Sequence, residues 1–91
     1  MDDWEKYKIE AAKNDPFAKR VFELAEIQAN IIKAVIAKRN SENLSQRDLA
    51  KLCGIPQSTL ARIERGVVVP NLDTLLKVMH PLGLSLKIVS E

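Results

Sequence analysis

Apolar side chains recur every three to four residues from Phe17 through Val21, Leu24, Ile27 and Ile31 to Val35. That is the helical period, and it predicts one long amphipathic helix, or two with a bend, ending near Arg39. Asp15-Pro16 supplies the start, an Asp N-cap followed by Pro at the first helical position. Upstream, Asp3 to Asn14 reads as a short, weakly amphipathic helix with Trp4, Tyr7 and Ala11 on one face.

After the polar connector Asn40-Ser41-Glu42-Asn43, Ser45 caps a second helix that reaches about Cys53. Asp48 sits three residues beyond Ser45, a weaker form of the capping box, which prefers Glu or Gln. Leu44 and Leu49 occupy the two positions of a hydrophobic staple. Gly54 ends this helix, Pro56 opens the next and Gly66 closes that one. Val67-Val68-Val69-Pro70 is extended. Asn71 then caps a helix with Leu72, Leu75, Leu76 and Met79 on one face, and Pro81 should end it near His80 or distort it there. Beyond Gly83, Leu84, Leu86 and Ile88 alternate with Ser85, Lys87 and Val89, the pattern of a short strand. It has no partner strand elsewhere in the chain, so it is expected to pair with another copy or another protein.

Ninety-one residues suffice for one domain with an appendage. A chain 46% hydrophobic and 29% charged is not mostly disordered. The longest apolar runs, Ala34-Val35-Ile36-Ala37 and Val67-Val68-Val69, are too short to span a bilayer. The acidic opening Met1-Asp2-Asp3-Trp4-Glu5 does not resemble a signal peptide, so a cytoplasmic protein is expected. One cysteine, Cys53, and one histidine, His80, leave no disulfide framework, no metal or cofactor site and no catalytic set, so no enzyme is expected. Cys53 reads as a small partly buried hydrophobe, and His80 as a helix-end residue.

The charge is unevenly placed. Residues 1–26 carry seven acidic and five basic side chains, whereas residues 27–91 carry five acidic and nine basic. Such asymmetry fits a basic contact surface beside a differently charged segment, or simply an uneven solvated surface. Trp4, Tyr7, Phe17 and Phe22 are the four aromatics, and all lie in the first 22 residues. They either form an interface for a partner or staple the N-terminal helices to the core.

The informative unit is Ser45 to Gly66, two short helices joined by a tight glycine-containing turn. In a helix-turn-helix of this kind the second helix lies in the DNA major groove. On a wheel with Gln57 at zero, Ala61 falls at about 40°, Arg65 at about 80°, Ser58 at about 100° and Arg62 at about 140°. These five share one arc, while Leu60 and Ile63 turn inward. Gln can bridge the edge of adenine and Arg the edge of guanine, and Ala can approach a thymine methyl.

Leu44-Ser45-Gln46-Arg47-Asp48-Leu49-Ala50 followed by Gly54-Ile55-Pro56-Gln57-Ser58-Thr59-Leu60-Ala61-Arg62-Ile63-Glu64-Arg65-Gly66 resembles the lambda-repressor-like, Xre-type DNA-binding domain. Pro70-Asn71-Leu72 through Leu82-Gly83 matches its next helix, so the resemblance covers roughly Ile27 to Leu82. It implies base contacts from Gln57, Ser58 and Arg62, and phosphate contacts from Gln46 and Thr59. It also implies an ion pair between Arg39 and Glu64. Pro56 departs from the pattern, which usually places Ser or Thr as the cap of the recognition helix.

The expected fold is therefore mainly α: a lambda-repressor-like helix-turn-helix bundle over residues 27–83. A helical extension precedes it over 1–26, and a short strand and tail follow over 84–91. The flanks are similar to those of HigA-like antitoxins of toxin–antitoxin pairs. That resemblance implies a homodimer that binds double-stranded operator DNA, represses its own operon and neutralises a small ribonuclease toxin of RelE-like fold. The alternatives are a stand-alone Xre-type repressor without a toxin, or an interaction module that has lost DNA binding. A ribonuclease needs a basic surface for RNA, and the acidic arm bearing Trp4, Tyr7, Phe17 and Phe22 is the candidate to meet it.

Overall fold

The computed structural model describes Asp3, Glu5, Lys6 and residues 15–90. Trp4 and Tyr7, and most of the helix expected over residues 3–14, lie outside the described residues. Four α-helices follow: α1 (Pro16–Ser41), α2 (Gln46–Cys53), α3 (Gln57–Glu64) and α4 (Leu72–Met79), with a 3-10 turn at His80–Leu82. No helix among the described residues is long and apolar enough to cross a membrane. The chain divides into two compact units, Met1–Asn30 and Ile31–Glu91.

In the first unit, Asp15 caps α1 as its position before Pro16 requires. Its carboxylate oxygen accepts from the Phe17 N–H at 2.9 Å. The aromatic and aliphatic stripe that follows is largely uncovered: Phe17, Val21, Leu24 and Ile27 are 72, 50, 52 and 56% exposed.

In the second unit the core is built from Val35 of α1, Leu49, Ala50 and Cys53 of α2, Leu60 of α3, Val78 and Met79 of α4, and Leu82. Ile31, Leu44, Ile55, Leu75 and Leu84 pack around it. Burying each of the larger side chains contributes on the order of 1.5–3 kcal/mol. Four chain reversals close this unit in one way. Asn43, Gly54, Gly66 and Gly83 take left-handed φ of 56–74°. The residue after each donates its N–H five residues back: Leu44 to Arg39, Ile55 to Ala50, Val67 to Arg62 and Leu84 to Met79, at 3.0–3.1 Å. This closure satisfies orphan carbonyls at a helix end and turns the following apolar side chain back toward the core. Leu44, Ile55 and Leu84 pack there. A side chain at position 54 would meet nothing within 4 Å, so Gly54 is required by its φ of 71° and not by space.

Two expectations need correction. The short C-terminal strand over Leu84–Val89 is absent, since residues 84–90 carry no strand and none occurs among the described residues. The Leu84 N–H is committed to the Met79 carbonyl, and no second strand is present to bond the rest. The alternation of Leu86 and Ile88 with polar neighbours therefore reports an extended segment, with Leu86, Ile88 and Val89 exposed. The apolar face of α4 is also rotated from its expected setting. Val78 and Met79 are buried and Leu75 packs on the core, while Leu72 and Leu76 face outward.

Candidate nucleic-acid interface

The site begins with the start of α2. Ser45 has extended backbone and its Oγ accepts from the Asp48 N–H, while the Ser45 N–H donates to Asp48 Oδ2, both at 3.0 Å. The box is thus complete with Asp in place of Glu. The hydrogen bond from the Ser45 backbone N–H, and after it the one with the Ser45 hydroxyl, hold the Asp48 carboxyl below the ordinary value of 3.8. Gly54 then redirects the chain into α3.

Pro56 precedes α3 with φ −62° and ψ 143° and makes no side-chain capping bond. Its carbonyl accepts from Thr59 and Leu60 at 3.1 and 3.2 Å, so the first turn closes without the usual hydroxyl. Leu60 and Ile63 are buried at 0 and 1% exposure, which fixes the rotation of α3 about its own axis. Gln57, Ser58, Arg62 and Arg65 are exposed on the opposite side, and Thr59 and Ala61 are half-buried. The arc expected from the wheel is therefore presented to solvent, with Ala61 partly sunk into the surface and Thr59 lying outside it.

The far end of α3 is locked by a polar cluster. Arg39 Nε donates to Glu64 Oε2 and Arg39 Nη2 to Glu64 Oε1, each at 2.8 Å, a bidentate fork. The two side chains are only 12 and 5% exposed. Arg39 Nη1 also donates to the Leu44 carbonyl at 2.9 Å. Gln46 Nε2 completes the set, donating to Glu64 Oε1 at 3.1 Å. The end of α1 and the start of α2 thus meet on the carboxylate at the end of α3, and the same guanidinium ties in the connector. No buried side-chain polar atom among the described residues lacks a hydrogen-bond partner. The Arg39–Glu64 pair was legible in the motif. The Gln46 bond was not, because two residues 18 apart share no periodicity that would bring them together.

Phe17 and Phe22 belong to one helix but not to one surface. Phe17 is exposed and Phe22 half-buried, and five residues place them about 140° apart around α1. Cys53 is buried in the core, and loss of hydration raises its thiol pKa. No group of three or more His, Cys, Asp or Glu among the described residues could hold a metal ion.

A capped helix, a left-handed glycine turn and a second helix presenting Gln, Ser and Arg define a helix-turn-helix module. The helix-turn-helix family profile matches residues 35–89. An uncharacterized HTH-type transcriptional regulator of Haemophilus influenzae is 40% identical over 78 residues, covering 80% of each chain. The antitoxin HigA1 of Mycobacterium tuberculosis is 36% identical over 90 residues, 99% of this chain and 60% of the antitoxin. No solved structure matches the chain. The chain belongs to the helix-turn-helix family of DNA-binding transcriptional regulators, of the Xre type.

Proposed function

We propose that the protein is a cytoplasmic, sequence-specific DNA-binding antitoxin that represses its own operon as a dimer and neutralises a small ribonuclease toxin of RelE-like fold. The observation that carries the DNA-binding half is the exposed arc of α3, held in place by the buried Leu60 and Ile63 and by the Arg39–Glu64–Gln46 cluster. Arg62 would bridge guanine and Gln57 adenine, with Ser58 beside them and Ala61 against a thymine methyl. Thr59, Arg65 and Gln46 would bind phosphates. Gln46 donates one amide hydrogen to Glu64 and keeps the second for a phosphate oxygen. Its geometry is then set before DNA arrives.

The antitoxin half draws on the likeness to HigA1 along nearly the whole chain and on the net acidity of residues 1–26. The contact surface on α1 is the stripe Phe17, Val21, Leu24 and Ile27, with acidic Glu23 and Glu26 nearby in sequence. Phe22 stands apart from it. Trp4 and Tyr7 remain candidates for the same contact. A stand-alone repressor is the second reading, favoured by the regulator from Haemophilus influenzae.

Footprinting on the promoter of the protein's own operon tests the proposal. Arg62→Ala should weaken specific binding by about 1–3 kcal/mol and relax base preference at one position per half-site. Gln46→Ala should weaken binding evenly across sequences. Wild-type footprints from both variants would refute the recognition-helix assignment. Co-purification of the natively expressed chain with a small basic protein separates antitoxin from stand-alone repressor.

A further inference from the structure

The outer arc of α4 combines exposed apolar side chains with an exposed ion pair. Taking Leu72 as zero, Leu76 lies at about 40°, Asp73 at about 100° and Lys77 at about 140°. The arc therefore has an apolar edge, Leu72 and Leu76, beside a charged edge, Asp73 and Lys77. The two leucines are 63 and 44% exposed. Asp73 and Lys77 form an exposed i,i+4 ion pair at 2.9 Å. A shallow groove runs from Leu76 to Leu52 at the end of α2 and to Pro81. Leu52 is itself 59% exposed, so the apolar edge continues beyond α4.

We propose that this arc is where a second copy of the chain docks, two α4 helices packing antiparallel about a two-fold axis level with Leu75. The inference rests on the dimeric reading above and supplies its interface. The order of charges selects this occupant. A two-fold axis normal to the plane of two antiparallel helices exchanges the position two residues before Leu75 with the position two after it. Asp73 then faces the partner's Lys77, and Lys77 faces the partner's Asp73. The same operation lays the Leu72–Leu76 edge alongside the partner's, apolar edge to apolar edge, each leucine offset from its nearest counterpart by about 3 Å along the axis, so the two edges interdigitate. Such a contact is isologous, each patch complementary to itself. A helix carrying acid at both positions, or base at both, would repel its own copy. None of Gln57, Ser58, Arg62 and Arg65 lines the groove, so docking here uses none of the side chains assigned to bases. A palindromic operator calls for two recognition helices related by the same two-fold symmetry.

Sedimentation of the full chain across a concentration series tests this, with Leu76→Asp, Asp73→Lys, Lys77→Asp and the exchange Asp73→Lys/Lys77→Asp. Leu76→Asp should be monomeric where the wild type is dimeric. Each single charge change should raise the dimer dissociation constant about tenfold, and the exchange should return it to within about threefold. Circular dichroism of each variant checks the fold, and rescue by the exchange cannot come from an unfolded chain. If every variant stays as dimeric as wild type, or the exchange fails to restore a dimer the singles lost, the interface lies elsewhere although the protein dimerises. If the wild type is monomeric both free and on operator DNA, the dimeric reading fails and this interface with it.

Discussion

One helix meets two environments. Over its second half, α1 commits its apolar face to the helix-turn-helix core: Val35 is fully buried and Ile31 packs beside it. Over its first half the same period continues through Phe17, Val21, Leu24 and Ile27, and those side chains lie half or more in solvent. The residue types do not differ, and neither does the spacing. What differs is whether the chain supplies something to cover them. A helical period thus fixes that a helix forms and which side of it is greasy, but not what the greasy side is for. Four large apolar residues on one exposed stripe are more than the scattered apolar surface normal for a monomer, and such a patch marks a contact surface.

The sharpest test of that contrast compares substitutions in the two stretches. Leu60→Ala removes a fully buried side chain and should lower the unfolding free energy by about 2–5 kcal/mol. Leu24→Asp, on the uncovered stretch, should leave urea denaturation within about 0.5 kcal/mol of wild type. The same variant should lose capture of the proposed toxin partner while binding the operator normally. A large stability loss from Leu24→Asp would mean that the stripe is covered within the protein after all, and the contrast would collapse.

The next test strikes the polar lock of the second unit, which has no counterpart in α1's exposed stretch. Glu64→Ala strands the Arg39 guanidinium and the Gln46 amide, and should cost about 3 kcal/mol in urea denaturation. Replacing both ends, as in Arg39→Met with Glu64→Leu, should recover much of that loss, because the desolvation of both charges is removed with their attraction. Operator affinity should not recover in the double variant, since Gln46 is still without its acceptor. Full recovery of DNA binding would show that the cluster sets stability and not the geometry of the reading face.

Much of this was legible along the chain because the signals were local. Ser45 with Asp48, Asn71 before α4, and Gly54 in the turn each act within a few residues, and the wheel needs only α3 and its capping residue Arg65. Where the outcome depended on a distant partner, pattern alone misled. The alternation after Gly83 has the period of a strand, but a strand is defined by its neighbour, and none is present among the described residues. The rotation of α4 was misjudged because Leu72, Leu75, Leu76 and Met79 share an arc of about 100°, and the core takes one edge of that arc together with Val78, which lies outside it. Phe17 and Phe22 were grouped by composition, and helical geometry separates them.

The smallest expected effect concerns a surface charge that contributes to the start of α2. Asp48 accepts from the Ser45 N–H, and that bond and the one with the Ser45 hydroxyl hold its carboxyl below 3.8 in the folded chain. A group whose folded pKa is depressed favours the folded state when ionised. Its contribution is complete above the ordinary carboxyl range and is lost as the pH falls through the folded value. Asp48→Asn keeps an acceptor for the Ser45 N–H but has no charge to lose. The stability difference between wild type and Asp48→Asn should therefore be constant at neutral pH and shrink as the pH falls below the ordinary carboxyl range. Urea denaturation of both proteins across that range isolates Asp48 from the other carboxylates, which are common to both. A difference that stays flat with pH would mean that the charge adds nothing to the Ser45 cap, and that geometry alone starts α2.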